Sequence, residues 1–269
     1  MPELPILTTE LTLQLERHIA PLESAPGDVH DDQIVRFGKT IACKHRGPWR
    51  PSKVFCFNGD DVGLLDEVLA FFGDIEPIFY LAHGGFTPAV AQALTAAGFC
   101  MCDWTQTILY GLPAAEAAQP PPGITIEPVT ANTIDAAAEV AAEGNGWAQP
   151  WREDAKDGVR QSIHREHFQL FLARYQGEPA GVGNFSPSRA SEKWCGLGAG
   201  AVIPRFRKRG IHTALLRHRL HAAFSAGYEV VISGAKFGST SFRNQQRVGL
   251  HLGYIETAWK LSKAQRVSS

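Results

Sequence analysis

Ala201-Val-Ile-Pro-Arg-Phe-Arg-Lys-Arg-Gly-Ile-His-Thr-Ala-Leu-Leu-Arg-His-Arg-Leu-His221 is the stretch from which the rest of this chain can be read. Ala201, Val202 and Ile203 form the small, β-branched end of a strand. Pro204 stops it, because proline has no N–H to give to a ladder. Arg205, Arg207, Lys208 and Arg209 make a basic turn, Gly210 permits a tight backbone, and a helix is expected to start at Ile211 to Thr213. Its apolar stripe is Ile211, Leu215, Leu216 and Leu220. The first N–H groups of a helix lack intrahelical partners and lie at the positive end of its dipole. Cations beside them make an anion site that suits a phosphate or pyrophosphate. The other reading of the same residues is a solvated basic turn. No Gly-Lys-Ser/Thr follows, so it is not a P-loop. The three spaced glycines of a dinucleotide fingerprint are also missing.

Composition narrows the alternatives. The 269 residues are 44% hydrophobic and 20% charged, which suits a globular chain of one large or two small domains. The net charge of −1 offers no overall field for nucleic acid or an anionic membrane, so the basic turn is local. The start, Met-Pro-Glu-Leu-Pro-Ile, lacks a cationic leader, and no apolar run is long enough to span a bilayer. Cys43, Cys56, Cys100, Cys102 and Cys195 are odd in number and scattered, which argues for a reducing, cytoplasmic compartment rather than a disulfide framework. Cys100 and Cys102 share one side of an apparent strand. They read as core thiols, because no further ligands are spaced to complete a metal site.

Along the chain, periodicity predicts a helix within residues 6–22 and a strand over 34–43. A short strand at 53–57, a helix over 64–72 and a strand over 77–82 follow. Thr87 and Pro88 open a helix that Gly98-Phe99 ends, and 102–111 reads as a strand. Ala114 to Gly123 is Ala-rich, then Pro-rich, and reads as a linker. After it come a strand (124–129), helices (from Asn132 or Thr133 to Glu143, and 154–167), strands (168–175 and 180–185), and the strand 194–203 that feeds the basic turn. The helix 211–226, a strand (229–233), a helix (239–249) and a final strand (251–261) complete the order. Helix, Gly98-Phe99 and strand also mirror helix, Gly249-Leu250 and strand, which points to two related halves.

Val202, Pro204, Arg207-Lys208-Arg209-Gly210-Ile211-His212 and Leu215-Leu216 resemble the acyl-CoA-binding motif of the GNAT superfamily of N-acetyltransferases, Arg/Gln-x-x-Gly-x-Gly/Ala at a strand–turn–helix junction. His212 departs from it, standing where Gly or Ala is usual. The resemblance implies an α/β (α+β) fold with a mixed, largely antiparallel sheet flanked by helices. Because the first half lacks a basic turn, the chain resembles tandem members of the superfamily: a degenerate half at 1–113, a linker at 114–122 and a GNAT domain at 123–269.

The same resemblance implies a cofactor site. Pantetheine would follow Ala201 to Ile203, with the Val202 or Ile203 backbone meeting the acyl carbonyl. Pyrophosphate would lie at Arg207, Lys208, Arg209, Gly210, Ile211, His212 and Thr213. Ser241 fits a small polar position of the second cofactor helix, and Asn244 is a candidate for the pantetheine contact. The run Gly196-Leu-Gly-Ala-Gly-Ala201 either lets a ligand approach closely or packs a bent strand.

Acyl transfer to an amine needs an oxyanion donor, a proton acceptor and a proton donor for the thiolate. The Tyr that often donates that proton is Gln245 here, and an Asn usual in the family is Gly238. Tyr254 is the nearest phenol in sequence and Glu143 the carboxylate best placed for a base. Both are catalytic candidates, set against plain roles in a strand and at a helix end. The implied function is transfer of an acetyl group from acetyl-CoA to a primary amine of a small molecule, with no metal, nucleic acid or membrane involved. The competing reading is a non-catalytic acyl-CoA-binding or scaffold protein.

Overall fold

The computed structural model describes residues 33–44, 51–82, 85–102, 106–111, 119–187 and 192–262. The helix expected within residues 6–22, and residues 114–118 of the expected linker, lie outside them. The elements in order are β1 (Gln33–Phe37), β2 (Thr40–Lys44), β3 (Lys53–Phe55), α1 (Leu65–Phe72), β4 (Ile78–Ala82), α2 (Pro88–Ala96), β5 (Phe99–Met101) and β6 (Gln106–Gly111). There follow β7 (Ile124–Pro128), α3 (Ile134–Asn145), α4 (Arg152–Ser162), β8 (Gln169–Tyr175), β9 (Glu178–Pro187), β10 (Trp194–Val202), α5 (Ile211–Ser225), β11 (Val230–Lys236), α6 (Thr240–Arg247) and β12 (His251–Leu261). From β7 onward this is the expected order. The fold is mixed α/β, with mostly antiparallel sheets flanked by helices.

Contacts divide the chain into two compact units that do not follow chain order. The sequence-based halves leave residues 123–269 together, yet from Gly253 onward the chain belongs with the first unit. The physical reason is strand pairing: Glu256 to Trp259 of β12 pair with β4, and Trp259 to Leu261 with β5, all antiparallel.

In the first unit the sheet runs β1-β2-β3-β4-β12, with β3 and β4 parallel. Val54, Val68, Phe72, Phe79, Leu94 and Trp259 form its core. The expected strand over 34–43 is instead a hairpin, turned at Gly38 with φ +60°. Asp61 explains the turn: its Oδ2 accepts from Lys39 N (3.0 Å), Thr40 Oγ1 (2.8 Å) and Asn58 Nδ2 (3.0 Å). Its Oδ1 fills the space that a Cβ at residue 38 would need. Thr87 caps α2 as read, its Oγ1 accepting from Val90 N, with Pro88 in the first turn. Of the expected strand over 102–111, Gln106–Gly111 form β6, and residues 103–105 lie outside the described residues. Cys43, Cys56 and Cys195 are buried thiols, but Cys100 is exposed on β5, so the core reading fails there.

The second unit's sheet runs β7-β8-β9-β10-β11, antiparallel except for β10 and β11. Helices cover both faces. Cβ atoms built on Gly181 and Gly183 of β9 would meet Ile211, Leu215 and Arg219, so α5 packs on that face. A Cβ on Gly144 would meet the Ala201 Cβ, so α3 packs on the other. Gly146, left-handed at φ +69°, caps the C-terminal end of α3.

Candidate active site

The parallel pairing of β10 with β11 lasts only from Trp194–Val230 to Gly196–Ile232. Beyond it the two strands part, leaving one edge of β10 without a paired strand among the described residues. On its other edge β10 carries a bulge. Gly198 pairs with Asn184 and Ala201 with Val182, so Ala199 and Gly200 together oppose Gly183. Ala199 has φ +45°, and both bulge residues are exposed. A bulge of this kind bends a strand and re-aims its peptide groups.

Hydrogen-bond alternation then selects one backbone group. Ile203 N–H donates to Ala180 O at 3.0 Å. In an antiparallel pair the next residue points its N–H the other way. Val202 N–H therefore faces the edge that β11 has left, while Ile203 N–H is already used. Of the two backbone candidates for the acyl carbonyl, Val202 is the one whose donor has no partner among the described residues. Gly144 keeps it clear, because a Cβ there would come within 3.1 Å of Val202 N.

The chain leaves β10 through a short 3-10 turn, Pro204–Phe206, and enters α5 at Gly210, which caps the helix with φ +83° and no side-chain bond. The first bond into the cap is Ala214 N to Gly210 O at 2.9 Å. The N–H groups of Ile211, His212 and Thr213 precede that bond, as expected of an anion-binding helix start. The Ile211 side chain is core, 1% exposed, so only its backbone can serve a ligand.

The cations of the turn differ from one another. Lys208 and Arg209 are exposed, and Arg209 stacks over the Tyr175 ring at 4.8 Å. Arg205 lies over Phe206 and reaches Glu178 at 3.3 Å. Arg207, also exposed, is held by two carbonyls: its Nε donates to Val202 O (3.1 Å) and its NH2 to Gly144 O (2.9 Å). It ties the end of α3 to the end of β10, which makes it a strut of the site.

His212, the residue out of family pattern, faces α6. Asn244 Nδ2 lies 3.2 Å from His212 Nδ1, and Arg247 NH1 donates to Asn244 Oδ1 at 2.6 Å. With Asn244 as donor, His212 carries its proton on Nε2. Burial, helped by the charge of Arg219, holds its pKa down at about 4, so the ring is neutral at pH 7. Ser239 caps α6 through Phe242 N, while Ser241 Oγ accepts from Gln245 Nε2 at 3.3 Å. Gln245 is 3% exposed, donates to Gly234 O at 3.2 Å and leaves its Oε1 buried without a hydrogen-bond partner among the described residues.

The two catalytic candidates fare differently. Glu143 ends α3 beside the site but is half-exposed and lies 3.9 Å from Arg205. Tyr254 is buried on β12, in the first unit. Sequence reading passed over Gly144, Gly183, Asn184 and Arg219. The clearest signal among them is Arg219, a cation four residues after Leu215 on the stripe that faces the core. Burial pulls its pKa down to about 10, so it stays charged at neutral pH. Among the described residues no group of His, Cys, Asp and Glu side chains could hold a metal ion, and no helix is long and apolar enough to cross a membrane.

Residues 136–254 match the sequence profile of the Acetyltransferase (GNAT) family. No curated protein matches the chain. Among solved structures, the chain is similar to a GCN5-related N-acetyltransferase from Kribbella flavida, with a TM-score of 0.68 and 15% identity over 97% of this chain and 96% of that one. It is similar to another from Sphaerobacter thermophilus, with a TM-score of 0.66 and 16% identity over 82% of this chain and 76% of that one. A tandem GNAT protein from the clavulanic acid biosynthesis pathway gives a TM-score of 0.61 and 14% identity, over 96% of this chain and 95% of that one. At these identities the likeness is one of fold.

Proposed function

We propose, from the match of residues 136–254 to the Acetyltransferase (GNAT) family, that the protein transfers an acetyl group from acetyl-CoA to a primary amine of a small molecule in the cytoplasm. One observation carries the reading. The parted strands β10 and β11 leave the Val202 N–H without a partner among the described residues, on the same strand that leads into the open N-terminus of α5. A thioester laid along β10 would have its carbonyl at that N–H and its pyrophosphate at the helix start, near Lys208 and Arg209.

In the transfer, the amine lone pair forms the C–N bond to the acyl carbon, the carbonyl oxygen gains charge, and the C–S bond breaks. Val202 N–H stabilises that oxygen. The proton lost by the amine goes to water or to Glu143, and the thiolate takes one from solvent. Gln245 stands where relatives carry a phenol, and an amide holds no acidic proton to give. Its Nε2 is already used on Gly234 O and Ser241 Oγ.

Gln245 also favours a second reading, a non-catalytic acyl-CoA-binding protein. Both readings expect CoA binding, so turnover separates them. A thiol-release assay across small amines, amino acids and aminoglycosides should show release with at least one acceptor. Tight acetyl-CoA binding with no release across the panel would favour the binding protein.

A further inference from the structure

Arg219 is 2% exposed and makes no salt bridge among the described residues. A lone guanidinium in a core is costly unless its hydrogen bonds are well placed. Here they converge on one feature. NH1 donates to Gly198 O at 2.9 Å and to Asn184 O at 3.2 Å, the two members of the last regular β9–β10 pair before the bulge. Nε donates to Leu215 O at 3.1 Å, which anchors the side chain to its own helix.

The space for the guanidinium is made by glycines. A Cβ on Gly183 would lie 2.7 Å from Arg219 Cζ, and one on Gly200 would lie 3.4 Å from NH2. Those are residues of the bulge itself and of the position opposite it. The Gly200 position is also 3.6 Å from His212 Nε2. The bulge therefore has solvent on one side and a buried cation, with a neutral imidazole, on the other.

We infer that Arg219 is a positioning residue for acyl transfer: seated in the slot left by Gly183 and Gly200, it fixes the β10 bulge and so aims the Val202 N–H that follows. Its charge lies behind the peptide groups where negative charge would develop on the carbonyl oxygen, and later on sulfur. This offers electrostatic support in a site where Gln245 stands in place of the usual proton donor. The inference rests on the acetyl-transfer reading for its kinetic consequence and on the bulge geometry alone for its structural one.

The experiment compares wild type with Arg219→Met, Arg219→Lys and Gly183→Ala, by thiol release, acetyl-CoA calorimetry and the backbone amide resonances of Ala199, Gly200 and Val202. Arg219→Met should lower kcat by on the order of tenfold to a hundredfold, with the acetyl-CoA Kd changed by no more than about threefold. The three amides should shift, and Arg219→Lys should recover part of kcat. If Arg219→Met fails to fold, Gly183→Ala decides, since it displaces the guanidinium but keeps its charge, and it should lower kcat and shift the same amides. A folded variant with wild-type kcat and unmoved amides overturns the inference. If wild type releases no thiol, the acetyl-transfer reading has failed instead, and the amide shifts alone decide whether Arg219 holds the bulge.

Discussion

Gly144→Ala adds one methyl group where α3 meets β10, and it should harm both stability and turnover. The new Cβ would lie 2.9 Å from Ala201 Cβ, 3.1 Å from Val202 N and 3.2 Å from Val202 C. Carbon atoms in ordinary contact are roughly 3.5–4.0 Å apart, so helix and strand must separate by about half an ångström or more. None of the three atoms is the loose end of a side chain, so the strain cannot relax locally. Overpacking of this kind costs about 1–3 kcal/mol, while replacing Gly by Ala inside a helix returns about 1 kcal/mol. The net loss is about 1 kcal/mol, which lowers Tm by roughly 2–4 °C for a protein of this size. Turnover should fall further than stability, because the methyl group sits over the N–H assigned to the carbonyl oxygen. Loss of one such donor costs on the order of a hundredfold in kcat. Thermal melting and thiol release on the same preparation read both quantities. A variant with unchanged or higher Tm and wild-type kcat would refute the packing of α3 on β10 and the role given to Val202.

The burial of His212 makes stability depend on pH. Its pKa is about 4 in the folded protein against the ordinary histidine value of 6.5, so the unfolded chain takes up the proton first as pH falls. Its contribution is constant above pH 6.5 and is lost between pH 6.5 and 4, by up to about 3 kcal/mol. Denaturant melts of wild type and His212→Asn across that window should converge toward pH 4, and parallel curves would contradict the assignment. Asp61→Ala strips three donors of their shared acceptor at the β1–β2 turn and should cost about 3 kcal/mol, read by chemical denaturation. A loss below about 0.5 kcal/mol would mean water replaces the carboxylate. A fragment starting at Gly123 deprives β12 of both β4 and β5. It should be insoluble or bind acetyl-CoA weakly, whereas a soluble, fully active fragment would show that β12 does not need those partners.

Much of the second unit was legible because its signals are local. Pro204, Gly210 and the four cations between them define a strand end, a turn and a helix start within a few residues, and Gly146 caps the end of α3. What was hidden depends on residues distant in sequence. Asp61 turns a long strand into a hairpin from 21 positions beyond Thr40, and nothing near Gly38 announces it. The placement of β12 is set by pairing with β4, as in Thr257 with Leu81, across most of the chain. The cofactor turn was found, yet the sorting of its cations was not. Arg207 reads like a phosphate ligand in sequence, but two carbonyls from different elements claim it. Arg219 left a trace as a charged residue on an apolar stripe. Its meaning required the glycine slot opposite, which is built from two other strands.

The central claim is that acetyl-CoA binds along β10 with its pyrophosphate at the start of α5. Titration calorimetry of acetyl-CoA into the full-length wild type and into Gly210→Asp tests it most directly. Gly210 is left-handed at φ +83°, and an aspartate there brings strain and a negative charge to the anion site. The account expects saturable binding to wild type at one site, and binding weakened at least about tenfold in the variant while its thermal melt remains cooperative. No binding by wild type, or equal binding by the variant, would contradict it.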